Sequence, residues 1–256
     1  MNASIAIPAG GAWFEGHFPG RPILPGVATL ALVLDALARE TRYPVSLRGM
    51  VFARLRQLVL PDDRLELGTR ELGNGHTRFD LQRAGALVAN GELILGPPAE
   101  ARPPLAAVAA SVFPFDAPPL AALLPQRPPM RMLTAILSAT DDGLSCAAAV
   151  PAACALVSGG SAPALAGLEA AAQAAAAWEA MRRWRAGDGA VPRIGYLVAL
   201  RDVVFFAERV PAGLALSATV RLEAAAPPLS YYQVEVALGG RPIVRGTIAT
   251  FLAAGS

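Results

Sequence analysis

The sequence predicts an α+β chain built twice, each half a long helix beside several antiparallel strands. Three observations carry this: a proline-rich divider, the same order of elements on both sides of it, and marked residues that recur at matching places. Residues 97–119 hold seven prolines (Pro97, Pro98, Pro103, Pro104, Pro114, Pro118 and Pro119). Proline fixes φ and removes a backbone donor, so this stretch reads as an extended connector between units 1–96 and 120–256. Pro25 and Pro163, each ahead of a helix, lie 138 positions apart; Pro61 and Pro211 lie 150 apart, and Gly91 and Gly246 lie 155 apart. The offset grows where the second helix and its Gly187-Asp188-Gly189 exit are longer, as in a diverged internal duplication.

The first unit opens with a short strand, Ser4 to Ile7, then a loop rich in Gly and Pro, then a helix from about Gly26 to Arg39. Strand-like runs follow at Ser46 to Leu60, Arg64 to Glu71, His76 to Arg83 and Ala86 to Leu95. Pro61-Asp62-Asp63, Gly73-Asn74-Gly75 and Ala84-Gly85 supply the turns between them. The second unit starts with strands at Met132 to Thr140 and Leu144 to Val150 around Asp141-Asp142-Gly143, a hairpin signal. An Ala-rich helix runs from about Ala164 to Trp184, since Ala is the best helix former. Strands near Gly195 to Phe206, Leu214 to Glu223, Ser230 to Leu238 and Pro242 to Phe251 complete it. Either unit alone would expose a sheet edge and a helix surface, so the two should associate.

Composition narrows the classes of function. The chain has 256 residues, 54% of them hydrophobic and 16% charged, which excludes an intrinsically disordered chain. Every basic residue is arginine, and the net charge of +2 comes without a basic run, so nothing suggests a nucleic-acid groove. The longest uncharged stretch, Gly143 to Leu168, is broken by Pro151, Gly159, Gly160 and Pro163 and cannot form one spanning helix. No basic residue precedes Glu15, so the N-terminus does not read as a signal peptide, and a cytoplasmic protein is expected. Cys146 and Cys154 make neither a disulfide framework nor a metal site and read as small buried hydrophobes.

The chemistry is concentrated in Gly16-His17-Phe18-Pro19-Gly20-Arg21-Pro22-Ile23-Leu24-Pro25-Gly26-Val27. This run resembles the signature of the hot-dog-fold (3R)-hydroxyacyl-ACP dehydratases of fatty-acid and polyene synthesis. The resemblance implies a tandem (double) hot-dog: two antiparallel sheets, each wrapping a long central helix, packed as a pseudo-dimer with the sheets continuous or side by side. It also implies that His17 is the catalytic base and that Gly26 offers its backbone N–H to the thioester carbonyl. Phe18, Pro19, Gly20, Pro25 and Val27 would then bind substrate. Elementary chemistry agrees. Removing a proton α to a thioester needs a base that titrates near neutrality and a partner for the developing enolate oxygen. A helix N-terminus, with free N–H groups and the positive end of the dipole, is such a partner. Without its motif, His17 would read as a loop histidine capping a turn.

The family also needs an acid fourteen residues after the His, and here that position is Ala31. Asp35 lies one turn later, about 6 Å further along the axis, and reads as a solvent-facing or salt-bridged residue. In the second unit, Ala166-Gly167-Leu168-Glu169-Ala170-Ala171-Ala172-Gln173 resembles the family's helix, where the acid is followed four residues on by Gln. Glu169 stands 138 after Ala31, at the acid position, while Ala155 stands where the base belongs. Glu169 is the only charge between Asp142 and Glu179, on a face with Leu168, Ala172 and Ala176. Such surroundings desolvate a carboxyl and favour its protonated form. The alternative is an exposed helix glutamate.

In hot-dog dimers the base and the acid of one site come from different subunits. A fused pseudo-dimer keeping only His17 and Glu169 therefore retains one composite site, and the other, with Ala31 and Ala155, is dead. On the dead side Ala164 replaces Gly26; its N–H remains, but its Cβ would crowd a thioester. Leu123-Leu124-Pro125-Gln126-Arg127-Pro128-Pro129-Met130 resembles the opening segment of the dehydratase-like proteins of aryl-polyene clusters, where relatives often carry His at the position of Gln126. That departure leaves the role of the segment open. Pro22 to Val27 resembles the partner protein of the same clusters, so the chain looks like a fusion of the pair. His76 reads as a solvated hairpin histidine. Arg182, Arg183 and Arg185 would meet an acidic carrier protein or simply cap a solvated helix end.

The reading that follows is dehydration of (3R)-3-hydroxyacyl thioesters to trans-2-enoyl thioesters. It needs no metal or other cofactor, because the phosphopantetheine belongs to the substrate's acyl carrier protein. A ketosynthase or another pathway enzyme is a further expected partner. Two alternatives stay open: a hot-dog acyl thioesterase, since the fold hosts both reactions, and a non-catalytic partner in a ketosynthase or dehydratase complex.

Overall fold

A computed structural model describes residues 2–41, 45–100, 102–105, 118–188 and 193–253. The first unit runs β1 (Asn2–Ala6), α1 (Gly26–Thr41), β2 (Leu47–Leu55), β3 (Arg64–Gly73), β4 (His76–Arg83) and β5 (Ala86–Leu95). The short α2 (Leu120–Leu123) leads into β6 (Leu133–Ala139), β7 (Gly143–Ala148) and β8 (Ser161–Pro163). Then come α3 (Ala166–Arg185), β9 (Gly195–Phe205), β10 (Arg209–Pro211), β11 (Leu216–Ala226), β12 (Leu229–Leu238) and β13 (Arg241–Leu252). Both two-residue turns of the first unit are built as hairpins require: Asn74 and Gly75, and Ala84 and Gly85, all take positive φ.

The strand order β1-β3-β4-β5-β2-β9-β13-β12-β11-β7-β6 makes the duplication visible. From the centre outward, β2, β5, β4, β3 and β1 correspond to β9, β13, β12, β11 and β7, with β6 as an addition. Gly91 and Gly246 hold matching places. A Cβ on Gly91 would lie 2.6 Å from the Phe52 carbonyl oxygen, and one on Gly246 would lie 2.9 Å from the Val203 Cα. Of the two arrangements expected, sheets continuous or side by side, the structure has the continuous one. β2 and β9 pair antiparallel, Met50 opposite Val203 and Ala53 opposite Leu200, and fuse the halves into eleven strands. Unpaired N–H and C=O groups at two would-be edges explain the join. This is a double hot-dog with a continuous sheet.

Each helix lies along this sheet. α1 buries Val27, Ala28, Leu30, Val33, Ala36 and Leu37. α3 buries a face dominated by alanine together with Trp178 and Met181. Small side chains let α3 approach closely: a Cβ on Gly167 would lie 2.9 Å from Val244 Cγ1. Two of the boundaries that differ from expectation are set by backbone N–H groups that turn to distant carbonyls. β2 ends at Leu55, not Leu60, because the N–H groups of Arg56 and Gln57 both turn to the Val88 carbonyl, at 2.8 and 3.2 Å. α3 starts two residues late because Ala164 donates to the Glu208 carbonyl at 2.8 Å, continuing the unforeseen two-stranded β8–β10 pairing.

Of the connector, residues 101 and 106–117 lie outside the described residues, as does Gly189 of the helix exit. The described part is fastened to the second unit. Ala99 donates to the Phe205 carbonyl at 2.9 Å, and Leu105 N–H donates to both Glu235 carboxylate oxygens at 3.0 and 3.1 Å. Arg245 closes this clamp, giving Nε to Glu235 Oε2 at 2.8 Å and a guanidinium N–H to the Pro103 carbonyl at 2.7 Å. Among the described residues, no helix is long and apolar enough to cross a membrane.

Candidate active site

The loop before α1 is shaped by what its glycines permit. Gly16 has φ +78°, and a Cβ there would lie 2.0 Å from the Arg127 carbonyl oxygen, so only glycine allows the loop to meet the second unit. The contact is bonded as well: Arg127 N–H donates to the Gly16 carbonyl at 2.9 Å. Phe18 and Arg21 exchange backbone hydrogen bonds around Pro19 and Gly20, and the latter supplies φ +75°.

This loop turns the His17 ring inward, leaving it 8% exposed. Nδ1 lies 3.0 Å from the Ile23 carbonyl oxygen. A carbonyl only accepts, so Nδ1 carries the hydrogen, and in the neutral ring Nε2 is left with a lone pair. Phe18 lies beside the imidazole with ring centroids 4.1 Å apart, and Tyr196 from β9 meets Phe18 edge-on at 6.3 Å.

The carboxyl comes from the other unit. Glu169, in the first turn of α3, is 3% exposed. Gln173, one turn on and fully buried, donates Nε2 to Glu169 Oε1 at 3.0 Å and to the Met130 carbonyl at 2.7 Å. Its Oε1 accepts from Met132 N–H at 2.8 Å. The amide thus ties the carboxyl to the segment that leads into β6.

His17, Gly26 and Glu169 line one cavity of about 570 Å³ between the units. Phe18, Ile23, Leu24, Leu55, Val59, Ala172, Ala176 and Leu197 make much of its wall apolar. Gly26 stands at the N-terminus of α1, and among the described residues no backbone acceptor takes its N–H. A Cβ at Gly26 would lie 2.4 Å from Leu55 Cδ1, so the glycine makes room for that side chain in the cavity wall. Exposed lining residues Arg56, Gln57, Arg182 and Arg193 mark where the cavity opens. Along α3, from Glu169 to Arg182, the cavity extends about 20 Å.

Four of the sequence-predicted substrate contacts are elsewhere. Pro19 and Gly20 are exposed in the turn, Pro25 is buried under the start of α1 with its carbonyl accepting Thr29 N–H, and Val27 points into the core. They shape the loop and the helix start, while Phe18 alone of the five lines the cavity. Ala164 differs from expectation too, since its N–H is bonded to Glu208. Asp35 is exposed. His76 is not merely solvated: its Nδ1 lies 2.8 Å from Glu92 Oε1. That contact, and Arg78 after it, hold the Glu92 carboxyl below its ordinary range. Arg185 leans toward Asp141, away from Arg182 and Arg183 at the cavity.

Both cysteines are buried, and burial pushes the Cys146 thiol up to about 12. Among the described residues, no three His, Cys, Asp or Glu side chains converge as a metal site would need. Sequence reasoning missed Tyr196, Thr29, Glu179 and Arg193 as cavity residues, which carry no motif of their own. It left Gln126 open, and that residue lies in the wall, 5% exposed.

Comparison with known proteins gives two family matches. The ApeI-like family, described as ApeI dehydratase, matches residues 1–92, and the ApeP-like family, described as ApeP dehydratase, matches residues 118–254. A 3-hydroxyacyl-[acyl-carrier-protein] dehydratase FabZ from Myxococcus xanthus is 43% identical over 68 residues, 22% of this chain and 42% of its own. The chain spans about half the length of the curated relatives it matches. Among solved structures, the dehydratase domain of the polyketide PpsC from Mycobacterium tuberculosis has a TM-score of 0.71 at 13% identity, over 99% of this chain and 93% of that one. The dehydratase domain of RzxB from Pseudomonas fluorescens has a TM-score of 0.68 at 17% identity, over 97% and 93%. At these identities the likeness concerns the fold. Through residues 118–254, with an ApeI-like unit fused ahead of them, the chain belongs to the ApeP-like dehydratase family.

Proposed function

We propose that the chain dehydrates (3R)-3-hydroxyacyl groups carried on an acyl carrier protein to trans-2-enoyl groups, at one composite site between its two units. The observation that carries the reading is the meeting of a buried imidazole from one unit and a buried carboxyl from the other in one largely apolar cavity. His17 Nε2 takes the C2 proton, and its Nδ1–H bond to Ile23 holds the tautomer that leaves Nε2 basic. Gly26 N–H, at the positive end of α1, stabilises the enolate oxygen. Glu169 gives its proton to the 3-hydroxyl as the C3–O bond breaks, so C2=C3 forms and water leaves.

The apolar wall suits an acyl chain, and the arginines at the opening suit the phosphodiester of a carrier-bound arm. Kinship to the ApeI and ApeP families favours aryl-polyene-like substrates and a ketosynthase as a pathway neighbour. The test is to incubate the purified chain with 3-hydroxyacyl carrier proteins of several chain lengths and follow the acyl mass. Loss of water is expected. Release of free acid would make the protein a thioesterase, and no change on any substrate would make it a non-catalytic partner.

A further inference from the structure

Residues 125–132 span the two halves of the site. Arg127 holds the base loop through Gly16, while Met130 and Met132 hold Gln173 and, through it, Glu169. Gln126 sits in this bridge and lines the same cavity. Its side chain is 95% buried by the 5% exposure it retains, and among the described residues no donor reaches its Oε1. A buried amide oxygen without a partner costs about 1–3 kcal/mol, so its place in the cavity that His17 and Glu169 also line points to a ligand that completes it.

We infer that Gln126 is a substrate-positioning residue whose Oε1 accepts the hydrogen of the substrate's 3-hydroxyl. The inference rests on the dehydratase reading. Near the base and the acid, a 3-hydroxyacyl thioester carries one polar hydrogen, that of its hydroxyl; the thioester has none, and the amide N–H groups of the arm lie beyond the sulfur. When Glu169 donates to the hydroxyl oxygen, that oxygen accepts through a lone pair and its own hydrogen needs an acceptor. Glu169 Oε1 is already taken by Gln173. Gln126 fills the gap and aims the lone pair at the acid. On elimination the C2 proton goes to His17, the C3–O pair leaves with the oxygen, and the oxygen gains the proton of Glu169. The departing water keeps its original hydrogen on Gln126.

The test compares two non-reacting ligands, the pantetheine amides of 3-hydroxyoctanoate and of octanoate, by calorimetry. Wild type should prefer the hydroxylated ligand by about tenfold, the worth of one hydrogen bond. Gln126→Met, similar in length but with no acceptor oxygen, should erase that preference while binding octanoyl amide as before, and its kcat should fall. Gln126→His, which restores an acceptor nitrogen, should recover part of both. Equal weakening of both ligands by Gln126→Met would overturn the inference and assign the amide to the pantetheine arm. Absence of a hydroxyl preference in wild type would overturn it even if the variant failed to fold. Failure of the dehydratase reading shows separately, as hydroxyl-selective binding without conversion of carrier-bound substrate.

Discussion

Replacing Gln173 by Met keeps the volume and removes every hydrogen bond that anchors Glu169. Four bonds go: Nε2 to Glu169 Oε1 at 3.0 Å, Nε2 to the Met130 carbonyl at 2.7 Å, Met132 N–H to Oε1 at 2.8 Å and, longer, Leu133 N–H to Oε1 at 3.4 Å. Met130 and Met132 are 1% and 0% exposed, so their backbone groups have little access to water as a substitute. At about 1–3 kcal/mol for each orphaned buried group, the loss comes to about 3 kcal/mol or more. For a chain of this length that lowers Tm on the order of 10 °C. Below the transition, kcat should fall on the order of tenfold because the carboxyl no longer has a fixed orientation.

Calorimetry and a mass-based dehydration assay on the same preparation measure both effects. Glu235→Gln is the control. It weakens the connector clamp with Arg245 and Leu105, remote from the cavity lining, and should lower Tm while leaving kcat in place. A Gln173→Met protein with wild-type Tm would show that its bonds are replaced on substitution. One with lowered Tm but unchanged kcat would show that the amide supports the segment and not the acid.

His17→Ala and Glu169→Gln should each reduce dehydration on the order of a hundredfold or more, whereas Asp35→Asn and His76→Ala should leave the rate nearly unchanged; an Asp35→Asn as damaging as Glu169→Gln would refute the assignment of the acid. The lowered pKa of Glu92 contributes stability that is present above the ordinary carboxylate value of 4.5 and is lost as the pH falls through the lower folded value. Thermal melts of wild type and Glu92→Gln should therefore differ near neutrality and converge in acid; a gap that widened below pH 4.5 would reverse the sign of the argument. In a His17→Ala background, Ala31→Glu with Ala155→His should restore little or no activity, and adding Ala164→Gly should not help, because that N–H remains bonded to Glu208. Substantial turnover in the dehydration assay would mean that the second site keeps an oxyanion donor of its own.

Much of this was legible in residue patterns that carry local physics. The turn pairs Asn74-Gly75 and Ala84-Gly85 fixed β4 and β5 to the residue, since two-residue hairpins require positive φ there. The loop that carries His17 was legible because glycine and proline leave it few conformations. Illegible parts were those set by distant partners. Nothing local ends β2 at Leu55, because the Val88 carbonyl that captures Arg56 and Gln57 lies more than thirty residues on. The family motif marked Pro19, Gly20, Pro25 and Val27 without telling residues that build a loop from residues that touch a cavity. Gln126 reads as a departure from a pattern in the sequence, and only its burial and its free oxygen reveal a demand for a partner.

The same contrast explains why a duplicated fold keeps a single candidate site. Asp35 stands at the position equivalent to Gln173, 138 residues apart on corresponding helices, yet Asp35 is exposed and Gln173 fully buried. What buries Gln173 is the segment from α2 to Met132, which lies over the start of α3 and reaches Gly16 in the base loop. Among the described residues no such segment covers the equivalent place on α1, where Asp35 is exposed. Without that cover, a glutamate at Ala31 would lack the amide that fixes Glu169. The helix start also differs, for β8 and β10 draw the Ala164 N–H to Glu208 where Gly26 N–H has no backbone acceptor among the described residues. Alanines at 31 and 155 thus go with the absence, among the described residues, of the contacts that hold His17 and Glu169. The asymmetry is architectural: it lies in a covering segment over α3 and a redirected backbone hydrogen bond as much as in two alanines.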